Sequence, residues 1–180
     1  MVFTGSSTVR LWKTLSADFP GKNVINRGFG GSQIADVVEF AERIVLPYKP
    51  AKVFLRSGGN DIHAGKAPER VFGDFKALVQ KIHAAQPECE VVFISLCPAP
   101  VRWSEAEANK TLNQLVAAYA KATDKVGYIE TYDMSLDASG QVREDLFVAD
   151  RLHLNPEGYR LLAERVHAYV DRGAARVSAP

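Results

Sequence analysis

Two rhythms of apolar residues alternate along this chain. Short apolar runs at residues 1–4, 23–26, 52–56, 90–96 and 127–131 read as strands. Between them, at about 8–19, 33–46, 68–86, 105–123 and 156–172, apolar residues recur every three or four positions, as on one face of a helix. Val91-Val92-Phe93-Ile94 is apolar throughout rather than alternating, as expected of a parallel strand buried on both faces. Five strand-then-helix units in succession predict an α/β fold: a five-stranded parallel sheet with helices on both faces, joined by right-handed crossovers. Start signals support the helices. Ser32 is placed to cap the helix carrying Ile34, Val37, Val38 and Ala41; Ser104 with Glu107 reads as a capping box; Asn155 precedes a proline at the first helical position.

In open sheets of this kind, ligands bind beyond the carboxyl ends of the strands, at a topological switch point. The segments expected there are Gly5-Ser6-Ser7, Arg27-Gly28-Phe29-Gly30-Gly31-Ser32 and Ser57-Gly58-Gly59-Asn60-Asp61, together with Asp150-Arg151-Leu152-His153 before the last helix. Polar residues and glycines concentrate on that rim. A carboxylate three residues before a histidine can fold back onto its Nδ1, leaving Nε2 to take a proton from a serine. Ser7, at a strand-to-helix junction, would sit where helix N–H groups favour developing negative charge. The Gly31 N–H and the Asn60 side-chain amide are candidate second and third donors to an oxyanion.

Composition narrows the classes. The 180 residues suit one domain, read as 1–173 with a small, polar tail at 174–180 expected to fray. Apolar content of 47% and charged content of 24% are ordinary for a globular chain. A net charge of +1 with no basic run argues against nucleic acid or an anionic membrane surface as partner, and for a small molecule. There is no apolar stretch long enough to span a bilayer. The N-terminus has no basic-then-apolar signal region and starts abruptly, which is expected either of a short first strand or of removed upstream sequence. Cys89 and Cys97 would lie about 25 Å apart along a strand, too far for a disulfide. No set of three or four clustered ligands for zinc stands out. Oligomeric state, redox compartment and localisation stay open.

Taken together, Gly5-Ser6-Ser7, Gly31 within Asn26-Arg27-Gly28-Phe29-Gly30-Gly31, Gly59-Asn60-Asp61 and Asp150-Arg151-Leu152-His153 resemble the four signature blocks of the SGNH (GDSL-type) hydrolases. They run in order from residue 5 to residue 153. The resemblance implies a three-layer, flavodoxin-like αβα fold with no metal and no coenzyme, and hydrolysis of carboxyl esters, thioesters or carbohydrate acetyl groups. It implies Ser7 as nucleophile, His153 as general base and Asp150 as its orienter, with the Ser7 N–H, the Gly31 N–H and the Asn60 side chain binding the oxyanion. In one respect the chain departs from the family, whose first block usually has aspartate where Ser6 stands. This Gly-Ser-Ser form, followed by Arg10 and Trp12, resembles the branch near the platelet-activating-factor acetylhydrolase-like members.

Other readings of the same residues are weaker. The glycine run half-resembles a dinucleotide fingerprint, but its third glycine would fall at Gln33 and it follows the second strand. Asp61 reads as structural, bonding N–H groups of its own loop. His63 reads as exposed, and His83 and His167 as structural. Arg56, at the end of a buried strand, has two readings: substrate contact on the rim, or a pair with a carboxylate such as Asp61. Arg102-Trp103 follows the fourth strand, and Trp103 is a candidate wall of the substrate pocket. The short segments 98–104 and 136–148 carry no lid helix, which favours short acyl or acetyl groups on small molecules or carbohydrates. The alternatives are a thioesterase or lysophospholipase of the same family, a catalytically silent binding domain, and a flavodoxin-like nucleotide binder.

Overall fold

The computed structural model describes residues 1–177, with side chains through Val170. Five parallel strands, β1 (Val2–Gly5), β2 (Ile25–Gly28), β3 (Lys52–Arg56), β4 (Glu90–Ile94) and β5 (Val126–Ile129), form one sheet in the order β2-β1-β3-β4-β5. The helices are α1 (Ser7–Arg10), α2 (Leu15–Asp18), α3 (Ile34–Ile44), α4 (Gly59–His63), α5 (Pro68–Ala85), α6 (Ala106–Ala122) and α7 (Pro156–Val177). The α/β expectation holds.

Alternate strand residues face opposite layers. Val53, Leu55, Val91 and Phe93 pack with α3, α5 and α6, through Val37, Phe75, Leu78 and Leu112. Phe3, Phe54, Val92 and Ile94 pack on the other face against Trp12, Phe19, Leu162 and Val166. Both faces of the central strands are covered, which explains the unbroken apolar run of β4, whereas the edge strand β2, with Asn26 and Arg27, is only half-buried.

Register places the rim. Gly5 of β1 lies level with Gly28 of β2 and Arg56 of β3, so three loops leave the sheet side by side. Gly5 has φ +127°, and a Cβ there would sit 2.1 Å from the Arg56 carbonyl oxygen, a spacing that only glycine permits.

Several elements differ in detail from expectation. The helix expected at 8–19 is broken into α1 and α2. Between them Trp12 turns into the core against Phe3 and Phe19, and the Asp18 carboxylate accepts bonds from both Trp12 Nε1 (2.6 Å) and Thr14 Oγ1 (2.7 Å). The cap of α3 is Gln33 rather than Ser32, with the Asp36 carboxylate accepting from the Gln33 N–H at 2.8 Å. Ser104 caps nothing: it lies in a 3₁₀ segment, Pro100–Glu105, that runs into α6. Asn155 does cap α7, its Oδ1 accepting from the Gly158 N–H at 3.1 Å. α7 continues to Val177, beyond the expected end, so the tail expected at 174–180 overlaps its last turn; residues 178–180 lie outside the described residues.

Candidate active site

Ser7 is the first residue of α1, directly beyond β1. The Ser6 N–H donates to the Arg56 carbonyl at 3.1 Å, tying the turn to β3. The Tyr159 hydroxyl of α7 donates to the Thr8 carbonyl at 2.8 Å. Burial pushes that phenol up to about 12, which keeps it a protonated donor.

The loop bearing His153 closes on itself. Phe147 and Leu154 form an antiparallel bridge, the Val148 N–H donates to the His153 carbonyl at 2.9 Å, and Arg151 takes a left-handed conformation (φ 58°) at the bend. Asp150 Oδ1 accepts from the Leu152 and His153 N–H groups, both at 2.9 Å, while Oδ2 lies 2.6 Å from His153 Nδ1. These bonds, the one to the histidine side chain foremost, pull the Asp150 carboxyl down to about 2. A carboxylate only accepts, so Nδ1 carries the hydrogen, and Nε2 is left to accept. It lies 3.0 Å from Ser7 Oγ.

Asn60 belongs to α4, a short helix within the segment expected to leave the sheet after β3. α4 is a single turn started by Gly58 at φ 122°, and two adjacent glycines hid it. The Asn60 amide is fixed at both ends: Nδ2 donates to the Ser32 carbonyl at 3.0 Å, and Oδ1 accepts from Arg102 Nη1 at 3.1 Å. The second Nδ2 hydrogen remains for the cavity. Gly31, at φ 78°, has open space where a Cβ would stand. Among the described residues, the backbone N–H groups of Ser7 and Gly31 donate to no other atom.

Beneath these groups Asp61 is fully buried and buttresses two elements. Its Oδ2 accepts from the Ile34 N–H at 3.1 Å, and its Oδ1 from Lys66 Nζ at 2.9 Å. Burial raises its pKa against the pull of Lys66. Asp61 is therefore structural, but the N–H it accepts from is at the start of α3 rather than in its own loop, where its partner is the Lys66 side chain. Arg56 does not pair with it. At 5% exposure, Arg56 Nη1 donates to the Ser95 carbonyl and to Thr131 Oγ1, bracketing the ends of β4 and β5, and Nη2 lies 3.0 Å from Cys97 Sγ.

Two spaces that share Ser7, Asn60, Arg102, Leu152 and His153 in their lining adjoin the site. An inner cavity of ≈ 80 Å³ is lined by Arg56, Leu96, Cys97, Glu105, Asn109 and Phe147 as well as by the site residues. Three of its buried atoms, Arg56 Nε, Glu105 Oε2 and Asn109 Oδ1, have no partner, so one part of its wall is polar and suited to water, while Leu96, Phe147 and Leu154 make the rest apolar. The outer mouth, ≈ 490 Å³, includes Gly31, Asn60 and Arg102. Trp103 lines neither space and stands 44% exposed; its neighbour Arg102 lines both. His63 is exposed and pairs with Glu105 at 2.6 Å. Among the described residues, no group of three or more His, Cys, Asp or Glu is placed to hold a metal, and no helix is long and apolar enough to cross a membrane.

Residues 3–161 match the model of the GDSL-like Lipase/Acylhydrolase family. The chain belongs to that family. A GDSL hydrolase of this kind is a carboxylic ester hydrolase, and the serine, glycine, asparagine and histidine blocks described above all fall within the match. Among curated proteins, the chain is similar to human platelet-activating factor acetylhydrolase IB subunit alpha1, 28% identical over 96% of this chain and 75% of that one. The human alpha2 subunit is 26% identical, over 94% and 75%. Among solved structures, a GDSL-like lipase from Bacteroides thetaiotaomicron superposes with a TM-score of 0.78 at 22% identity, covering 96% of this chain and 87% of that one. An acetylxylan esterase from Geobacillus stearothermophilus superposes at 0.71 with 14% identity, covering 92% and 90%. These two likenesses are of fold.

Proposed function

We propose that this GDSL hydrolase cleaves esters of short acyl groups through an acyl-enzyme on Ser7. The observation that carries the reading is the continuous relay from Ser7 Oγ through His153 to Asp150, assembled from residues 146 positions apart. Ser7 Oγ attacks the ester carbonyl carbon as its proton passes to His153 Nε2, and the carbonyl electron pair moves onto oxygen. That oxyanion faces the Ser7 N–H, the Gly31 N–H and the free Asn60 Nδ2 hydrogen, each worth about 3 kcal/mol of barrier. Collapse expels the alcohol, which takes the proton from His153; water then repeats the cycle and releases the acid. Asp150, held ionised, keeps the ring in the required tautomer and stabilises the imidazolium.

The inner cavity favours a short acyl group. At ≈ 80 Å³ it has room for a few waters, since one needs about 10–15 Å³ by the same measure. That volume leaves no room for a long alkyl chain. The curated relatives are named for hydrolysis of an acetyl group, which agrees with that size. The alcohol part of the ester, on a small molecule or a carbohydrate, occupies the open mouth.

Turnover of p-nitrophenyl acetate by Ser7→Ala tests the mechanism. We expect kcat to fall by a factor of thousands with the thermal melt little changed, while Ser6→Ala stays within a few-fold. A serine-directed organophosphonate labels the Ser7 peptide by mass spectrometry. Full activity in Ser7→Ala overturns the reading, and a lethal Ser6→Ala would move the nucleophile by one position. Rates for p-nitrophenyl esters from acetyl to dodecanoyl are expected to drop steeply beyond the shortest chains.

A further inference from the structure

Charge is distributed unevenly between the two spaces. The inner cavity is lined by two arginines, Arg56 and Arg102, and one acid, Glu105. The mouth carries Arg10 and Arg102 and no acidic residue. Asp150 lies behind His153, with both oxygens already accepting bonds. Elsewhere on the surface Arg143, Arg151, Arg160 and Arg165 each pair with a carboxylate. Among the described residues, neither Arg10 nor Arg102 has such a partner.

The two guanidiniums are held differently. Arg10 makes no hydrogen bond through its side chain among the described residues, yet it is laid along the glycine run: a Cβ on Gly30 would stand 2.9 Å from Arg10 Nε. Arg102 turns Nη1 toward the Gly59 carbonyl and Asn60 Oδ1, which leaves Nε and Nη2 unused. A guanidinium presents a rigid fork of donors matched to carboxylate or phosphate oxygens. Two such forks with no acid between them make a poor seat for a neutral or cationic group and a good one for an anion.

We infer that the substrate carries an anionic group, a carboxylate or a phosphate, on the alcohol side of its ester, and that Arg10 and Arg102 clamp it in the mouth. This rests on the reading of Ser7 as the nucleophile and adds the substrate class. Seating the anion also orients the scissile carbonyl, because Arg102 holds the Asn60 amide through its other nitrogen.

Matched ester pairs provide the test. The first is 3-acetoxybenzoate against 3-acetoxybenzamide; the second is acetylglycerol 3-phosphate against acetylglycerol. We expect the anionic member of at least one pair to show a kcat/KM higher by about tenfold or more, as a charge-assisted bond allows. The pair with the larger ratio distinguishes carboxylate from phosphate. The ratio should shrink in Arg10→Gln and in about 0.5 M sodium chloride. Ratios near one in both pairs, or a preference that survives Arg10→Gln, overturn the inference. The neutral members keep the two readings apart. If they are hydrolysed by the wild type and not by Ser7→Ala, the esterase mechanism stands whatever the ratios are; if neither member of either pair is turned over, the mechanism itself falls.

Discussion

Ser7 stands on the end of a fully buried strand, fastened by main-chain bonds to β3 and by the Tyr159 hydroxyl to α7. His153, by contrast, rides on a loop whose fastenings nearly all lie within eight residues of one another: the Phe147–Leu154 bridge and the carboxylate of Asp150. The serine is positioned by topology and the histidine by local bonds. The proton relay between them is therefore only as stable as the weaker support, which is the exposed loop.

The comparison breaks most visibly at Asp150. Asp150→Asn should lower kcat by about 10⁴-fold, because the amide favours the wrong imidazole tautomer. The protein should stay folded by circular dichroism. Activity within tenfold of the wild type would show that the loop holds the ring without its carboxylate.

Next in size is Asn60→Ala. Loss of one oxyanion donor should cost about 10²–10³ in kcat with a smaller change in KM. The Ser32 carbonyl and Arg102 would lose a partner as well, so steady-state kinetics should be accompanied by a melt. A loss confined to KM would assign Asn60 to substrate binding alone.

Acid sharpens the contrast further. Because the folded Asp150 carboxyl is depressed to about 2, its hold on the loop is complete above the ordinary aspartate value of about 3.9 and is lost only as pH falls toward 2. The acid limb of kcat/KM at milder pH should then show no contribution from this carboxylate and fall by at most about tenfold per pH unit. A second ionisation near pH 4 would mean that the carboxylate is not held as described. The smallest effect is expected on the serine side. Tyr159→Phe removes one bond to the Thr8 carbonyl and should cost about 1 kcal/mol of stability by chemical denaturation, with activity reduced only a few-fold.

The same contrast explains what could be read from the sequence. The Asp150–His153 pair is legible because both residues and their bonds lie within one turn. All five strands and most helices are legible because burial on one or both faces leaves a period. The break at Trp12 was not, since it depends on Phe3 and Phe19 packing around the indole. Nor was α4, where Gly58 and Gly59 signal a turn while the burial of Asp61 and Ile62 anchors a helix. Arg56 has two readings in the sequence because its actual partners, Ser95 and Thr131, lie just beyond the ends of two later strands. The Arg102 bond to Asn60 likewise joins residues 42 apart and left no local signal.

The bridge between Phe147 and Leu154 has a consequence for how such a protein can diversify. Upstream of it a separate hairpin closes through Leu136 and Val142, with Asp137 Oδ1 gathering the N–H groups of Ser139 and Gln141. The histidine segment is thus a self-contained cassette, insulated from the length of what precedes it. Insertions at the tip of that hairpin would be absorbed there, leaving lineages free to reshape the approach to the catalytic cleft without re-inventing the base.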